Sequence, residues 1–316
     1  MDSTPRKTVK TRICMISDTH THTPHPAPFT TKPYRHPLPS ADVLLHAGDL
    51  TGIGRLAEHE IMVSMLKQAS TELKLVIAGN HDITLDKEYY ALRGVARHGS
   101  ARVEDVDEIR RLYTNEEARQ AGIVYMEEEV RTFSLQNGAQ FTVYASPYTP
   151  EFCGWAFAYE RDQDRFNPAA AETTQAGKFQ AVNPVPLFPK VDIMLTHGPP
   201  LGILDTVEHG EKVGCEHLLR ACGRARPRLH VFGHIHEGFG AVRHNWQTNT
   251  TEAVPRQDPE TVQEQRSCYY NLSGEGDRPL SFGEETLFVN ASVVTVRYHA
   301  DNAPWVVDLD LPASQS

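Results

Sequence analysis

Residues 42–51, DVLLHAGDLT, set the apolar run Val43-Leu44-Leu45 just ahead of a Gly48-Asp49 pair. A short run apolar at successive positions reads as a strand buried on both faces. The glycine allows a tight exit, and the carboxylate after it stands at the strand's end. The pattern recurs. RICMIS (12–17) runs into Asp18, LKLVIAG (73–79) into Asn80, VDIMLT (191–196) into His197, and LHVFG (229–233) into His234. Each run delivers a residue able to bind a metal.

Between these runs the spacing changes. Residues 54–69 place apolar side chains three and four apart, and 105–120 and 214–222 do the same, which predicts helices. Strands alternating with helices indicate an α/β fold, with ligands gathering beyond the carboxyl ends of the strands. Residues 123–146 read as consecutive strands with a turn at Asn137-Gly138, and LFVNASVVTVRY and APWVVDLDL add strands near the C-terminus. Two packed sheets with helices outside are therefore expected. One domain is expected over 11–311, after a flexible tail at 1–10. Residues 21–40, rich in Pro and His, and the polar stretch 241–285 read as irregular insertions, either functional lids or solvated loops. The first, placed directly after Asp18 and His20, is expected to border the substrate entrance.

The 316 residues carry a net charge of −10, which gives no general attraction for nucleic-acid backbone or anionic lipid. Arg224, Arg226 and Arg228 are the densest basic run, and a helix end accounts for them. The five cysteines are widely spaced and odd in number, unlike a disulfide framework or a thiolate zinc site. No stretch approaches the roughly 20 apolar residues of a membrane span. The polar start of the chain lacks the apolar core of a signal peptide. A cytoplasmic protein is expected.

Singly, each motif is weak; together, five strand-end motifs carry the chemistry. They are Asp18-Thr19-His20, Gly48-Asp49, Gly79-Asn80-His81-Asp82, His197-Gly198 and Gly233-His234-Ile235-His236. Carboxylate oxygen and imidazole nitrogen together suit Mn, Fe or Zn better than Ca.

In this order the motifs resemble those of the calcineurin-like metallophosphoesterases. HAGDLT, AGNHD, SPYTPEFCGWAFAY, LTHGPPLGILD and LFVNAS are further similar to the metallophosphoesterase-domain-containing branch. The resemblance implies a four-layer α/β/β/α sandwich and two divalent ions, Mn foremost, with Fe, Zn or Mg as the others. It implies that Asp18, His20, Asp49 and His236 hold one ion, that Asp49, Asn80, His197 and His234 hold the second, and that Asp49 bridges them. Cations about 3.5–4 Å apart need such a shared anion, and together they activate a water against a phosphate ester. His81 is implied to face the leaving group as a catalytic residue, with Asp82 orienting it. A structural role for His81, and a helix N-cap role for Asp82, are the alternatives.

The expected activity is hydrolysis of a small phosphoester, favouring diesters such as cyclic nucleotides. A protein phosphatase or a phosphomonoesterase would use the same chemistry. A silent protein-binding scaffold is the reading from another class, and retention of every ligand argues against it. Trp155, Phe157 and Tyr159 read as core ahead of a base-stacking wall, and His46 as a packed structural residue.

Overall fold

Along β1 (Thr8–Ile16) the side chains divide between two buried layers, Ile13 and Met15 entering one, Cys14 and Ile16 the other. A strand apolar on both faces requires a covering layer on each side. The division repeats on β2 (Val43–His46), with Val43 and Leu45 opposed to Leu44, and on β3 (Leu73–Val76), with Leu75 opposed to Val76. These strands run parallel, continued by β4 (Ile123–Tyr125). The computed structural model describes residues 7–27, 30–169 and 179–314.

The second sheet begins with the hairpin of β5 (Glu129–Ser134) and β6 (Gln140–Ser146), turning through Gly138 at φ +89°. The chain then makes a small ribbon, β7 (Thr149–Pro150) beside β8 (Ala158–Tyr159). β9 (Ile193–Thr196) and β10 (Leu229–Phe232) follow in parallel with β6. The antiparallel pair β11 (Gly240–Asn245) and β12 (Thr250–Ala253) closes one edge. β13 (Cys268–Asn271) crosses back to the first sheet, and β14 (Glu285–Asn290) lies between β11 and β10. β15 (Trp305–Pro312) pairs antiparallel with β1 and parallel with β13, giving six strands in the first sheet and seven in the second.

Helices cover the outer faces. Outside the first sheet, α1 (Leu56–Gln68), α2 (Lys87–His98) and α3 (Val106–Thr114) bury Met62, Leu66, Tyr90 and Tyr113 against Leu44 and Val76. The short α4 (Glu116–Gln120) follows. Outside the second sheet, α5 (Glu216–Ala225) buries Leu218, Ala221 and Cys222 against Tyr144, Met194 and Phe232. A third apolar layer, with Leu45, Leu75, Val143, Leu195 and Val231, lies between the sheets. The molecule is the expected four-layer sandwich.

Three local expectations need correction. Residues 105–120 form two helices, because Asn115 leaves the helical region and its side chain caps α4 at Ala118 N, 2.8 Å away. Residues 241–285 are not irregular: they supply β11, β12, a seven-residue helix α6 (Pro259–Gln265), β13 and the start of β14. Their signal is weak because β12 and β13 are edge strands with no fully buried side chain. β1 begins at Thr8, inside the expected tail; residues 1–6 lie outside those described. Among the described residues no helix is long and apolar enough to cross a membrane. The basic run is spent internally: Arg224 donates to Asn167, Arg226 to the Gly283 carbonyl, and Arg228 pairs with Asp192.

Candidate metal centre

All five motifs leave the carboxyl ends of parallel strands, so they meet at one end of the sandwich. The first sheet contributes Asp18 and His20 after β1, Asp49 after β2, and Asn80 and His81 after β3. The second contributes His197 after β9, and His234 and His236 after β10. Hydrogen bonds bind the two halves. His197 Nδ1 donates to the Ala47 carbonyl at 2.8 Å, and His234 N donates to the Asp18 carboxylate at 3.0 Å.

The turns are tight enough to force unusual backbone. Asp18, His20, Asp49 and His234 all have positive φ, between 41° and 65°. That region is costly for residues with a Cβ and is held only where surroundings determine it. Two glycines are required by close approach. A Cβ on Gly79 would collide with Asp49 N and Oδ1, and one on Gly233 with the Asp18 carboxylate.

The donor atoms form overlapping groups. Asp18, His20 and His236 present ligand atoms within 4.8 Å of one another, and so do Asp49, His197 and His234. Asp49 lies between them, Oδ2 3.7 Å from His20 Nε2 and Oδ1 3.4 Å from His197 Nε2. Asn80 Oδ1 is 2.9 Å from the same His197 nitrogen. Every residue of the expected ligand set is therefore at this end, and all but His234 and His236 are largely buried.

The tautomers show what the group suits. His197 spends its Nδ1 proton on Ala47, so in the neutral ring Nε2 carries a lone pair facing the Asn80 and Asp49 oxygens. Only a proton or a cation stabilises that convergence. His20 Nδ1 lies 3.2 Å from the Thr51 carbonyl, leaving Nε2 buried without a hydrogen-bond partner. Burial lowers the His20 pKa to about 4, so this ring is neutral near pH 7 and its orphan nitrogen is a lone-pair donor. Burial also opposes a charge on His197, but Asp49 beside it dominates and raises its pKa to about 9. Burial likewise opposes ionisation of Asp18, yet His236 and its neighbours bring it down to about 2. The donor set fits divalent cations.

His81 stands over this set. Its N–H donates to Asp49 Oδ1 at 2.8 Å, and its Nδ1 donates to the Gly52 carbonyl at 2.7 Å. The Gly52 loop is fixed in turn by Glu58, which accepts from the Gly52, Ile53 and Arg55 N–H groups. Asp82 does not orient the ring. Its buried carboxylate accepts from Leu50 N, Thr51 N, Thr51 Oγ1 and Gly79 N, clamping the Asp49 loop to the Asn80 loop. Nor does it cap a helix, since Asp86 caps α2. The sequence spacing put Asp82 next to His81 but could not show which way its side chain turns. His46 is packed as expected, Nε2 3.0 Å from Thr19 Oγ1.

A cavity of about 540 Å³ opens over Asp49, Asn80, His81, His234 and His236. Trp155 and Phe152 line it, whereas Phe157 and Tyr159 are core, so the aromatic motif divides between wall and interior. Tyr298 was not anticipated. It has φ +59°, half-exposed, and its ring lies 4.8 Å from that of His20 and 5.0 Å from that of His236. It belongs to a loop sixty residues beyond the last motif, where no sequence pattern marks it.

A family model for calcineurin-like phosphoesterases matches residues 11–238. The chain belongs to the calcineurin-like phosphoesterase family. Among its relatives, human metallophosphoesterase domain-containing protein 1 is 32% identical over 315 residues, covering 98% of this chain and 74% of that protein. The probable rhamnogalacturonate lyase C of Emericella nidulans is 35% identical over 232 residues, 72% of this chain but 17% of that one. The UPF0046 protein T07D4.2 of Caenorhabditis elegans is 32% identical over 215 residues, 65% of this chain and 48% of that one. Membership of the calcineurin-like family makes the chain a metal-dependent phosphoesterase, and the clustered histidines and aspartates are its candidate ligands.

Proposed function

We propose that the protein is a phosphodiesterase with two divalent ions, hydrolysing a small phosphoester. The observation that carries this is the position of Asp49. Its two carboxylate oxygens face two different imidazole nitrogens, His20 Nε2 and His197 Nε2, as a bridging ligand requires. Asp18, His20, Asp49 and His236 would hold one ion, and Asp49, Asn80, His197 and His234 the other. When bound, the ions supply Lewis acidity toward the phosphoryl oxygens and activate a water. The mixed oxygen and imidazole set suits Mn, with Fe, Zn or Mg as alternatives.

The protein's own groups do the rest. Asn80 and the imidazoles contribute no negative charge, which leaves the site able to accept an anionic ester. His81, fixed through Nδ1 at Gly52, keeps Nε2 for the substrate. There, when protonated, it donates its proton to the departing oxygen. Asp82 holds the loops that carry Asp49 and Asn80. The cavity beside the ligands has room for an ester with two substituents, and the diester expectation rests on that room. The shared layer between the sheets supports one domain over 11–311, and five free cysteines support a reducing, cytoplasmic setting.

The test is metal content beside turnover. Wild type reconstituted with Mn should hold two ions per chain and hydrolyse bis(p-nitrophenyl) phosphate faster than p-nitrophenyl phosphate. Asp49→Asn should lose ions and activity together. Two bound ions with no turnover of either ester would overturn the enzymatic reading.

A further inference from the structure

A second cavity, of about 800 Å³, adjoins the first. His236, Glu237 and Val296 line both. Glu237 and Val296 are exposed, Val296 by 49%, so the divide the two cavities share faces solvent. Beyond it the walls turn apolar: Leu204, Phe239, Val242, Val254, Ala303 and Trp305. Polar groups also line this cavity, Asp301 and Asn302 ahead of β15 and Arg256, Gln257 and Gln263 from the segment after β12 and from α6. This is the 241–285 stretch, whose strands and helix the metal centre does not use.

A phosphodiester has two substituents on one phosphorus. Bound at the metal centre, it points one arm into the cavity of Trp155 and Phe152. The other can cross the divide at Val296. From this continuity, and resting on the phosphodiesterase reading above, we infer that the second cavity is a subsite for an apolar arm of the substrate, an alkyl or acyl chain. The volume accommodates such a chain, since a buried methylene gains from leaving water and needs no polar partner. A compact cyclic diester would leave the cavity unused.

The test uses p-nitrophenyl alkyl phosphates with methyl and octyl arms on the Mn-loaded protein. It is paired with binding of a fluorescent alkyl phosphate to metal-free protein. Wild type should show a KM at least ten-fold lower for the octyl ester, and the metal-free protein should bind the alkyl probe. Val262→Glu, on α6 and away from the ligands, should erase the octyl advantage and the probe binding while leaving methyl-ester turnover unchanged. Val262→Gln is the second variant should the first fail to fold. Equal KM values for the two esters in wild type would overturn the inference, and so would a variant that weakens both esters alike. A dimer in sedimentation that Val262→Glu dissociates, with no alkyl effect, would assign the surface to a second copy and overturn it too. If wild type hydrolyses neither ester yet binds the alkyl probe, the phosphodiesterase reading fails, and the cavity is a lipid-binding site without a substrate role.

Discussion

The imidazole of His81 stacks on the indole of Trp155, ring centroids 4.0 Å apart and planes inclined by 24°. The outer face of the indole carries the guanidinium of Arg97 at 4.2 Å, itself fixed by Tyr89 Oη and the Gly154 carbonyl. His81 is therefore located by its Nδ1 bond at one edge and by an aromatic plane on one face. Trp155→Ala should lower kcat about ten-fold, the scale expected when a reacting group loses its alignment, with metal content unchanged. Trp155→Phe should recover part of the loss. Full activity in Trp155→Ala, measured by steady-state kinetics, would remove the stack from the mechanism.

Asp82 acts on folding and on metal retention before it acts on rate. Its carboxylate satisfies three buried backbone N–H groups and one hydroxyl. Asp82→Ala leaves them unpaired and should cost on the order of 3 kcal/mol in urea unfolding, with looser metal binding. A variant as stable as wild type that still binds two ions would show that the clamp is dispensable.

The two ions should be separable. His20 lies with Asp18 and His236 and reaches the other group through the shared Asp49, its Nε2 3.7 Å from Asp49 Oδ2. His20→Ala should bring the Mn content measured by mass spectrometry from two per chain toward one. Retention of two would place His20 outside the ligand set.

Gly79→Ala tests the close approach directly. The added methyl meets Asp49 and the His197 ring, neither of which is free to retreat. The expected result is a folded protein, by circular dichroism, that has lost metal and turnover. Normal metal content would mean the turn can open without cost.

His59 gives a pH signature outside the candidate ligand set. It is buried between Tyr113 Oη at 2.8 Å and Thr84 Oγ1 at 2.9 Å, and burial lowers its pKa from 6.5 to about 3. The unfolded chain takes up a proton below pH 6.5 that the folded ring refuses. Its contribution to stability is thus complete above that value and lost as pH falls toward 3. By pH 5 the loss should reach about 2 kcal/mol relative to pH 8. Metal-free wild type should lose more stability over that span than metal-free His59→Gln, and parallel curves would refute the assignment.

Most of the candidate site could be read in the sequence because each candidate ligand follows a strand apolar enough to be recognised. Val43 to Leu45 announce Asp49, and Ile193 to Leu195 announce His197. The unread parts lack such an anchor. Tyr298 is placed by a turn, closed by Tyr298 N donating to the Thr295 carbonyl, and its meaning lies in what it packs against. The direction of the Asp82 side chain depends on which orphan N–H groups the neighbouring loops leave. α2 escaped notice because its buried side is a single line, Tyr90, Gly94 and His98, with few apolar residues. β12 and β13, at sheet edges, bury too little to impose a period.

The candidate ligands arrive in two sets, one on each sheet, and beneath the His197–Ala47 and His234–Asp18 hydrogen bonds the apolar layer between the sheets sets the distance between them. That layer works as a spacer gauge. Enlarging or shrinking a side chain such as Leu45 or Val231, neither of them a ligand, would shift Asp18 and Asp49 as one block against His197 and His234. The spacing of the cations is to that extent a property of the interior, and a hydrocarbon substitution deep in the core is a means of tuning the chemistry at the rim.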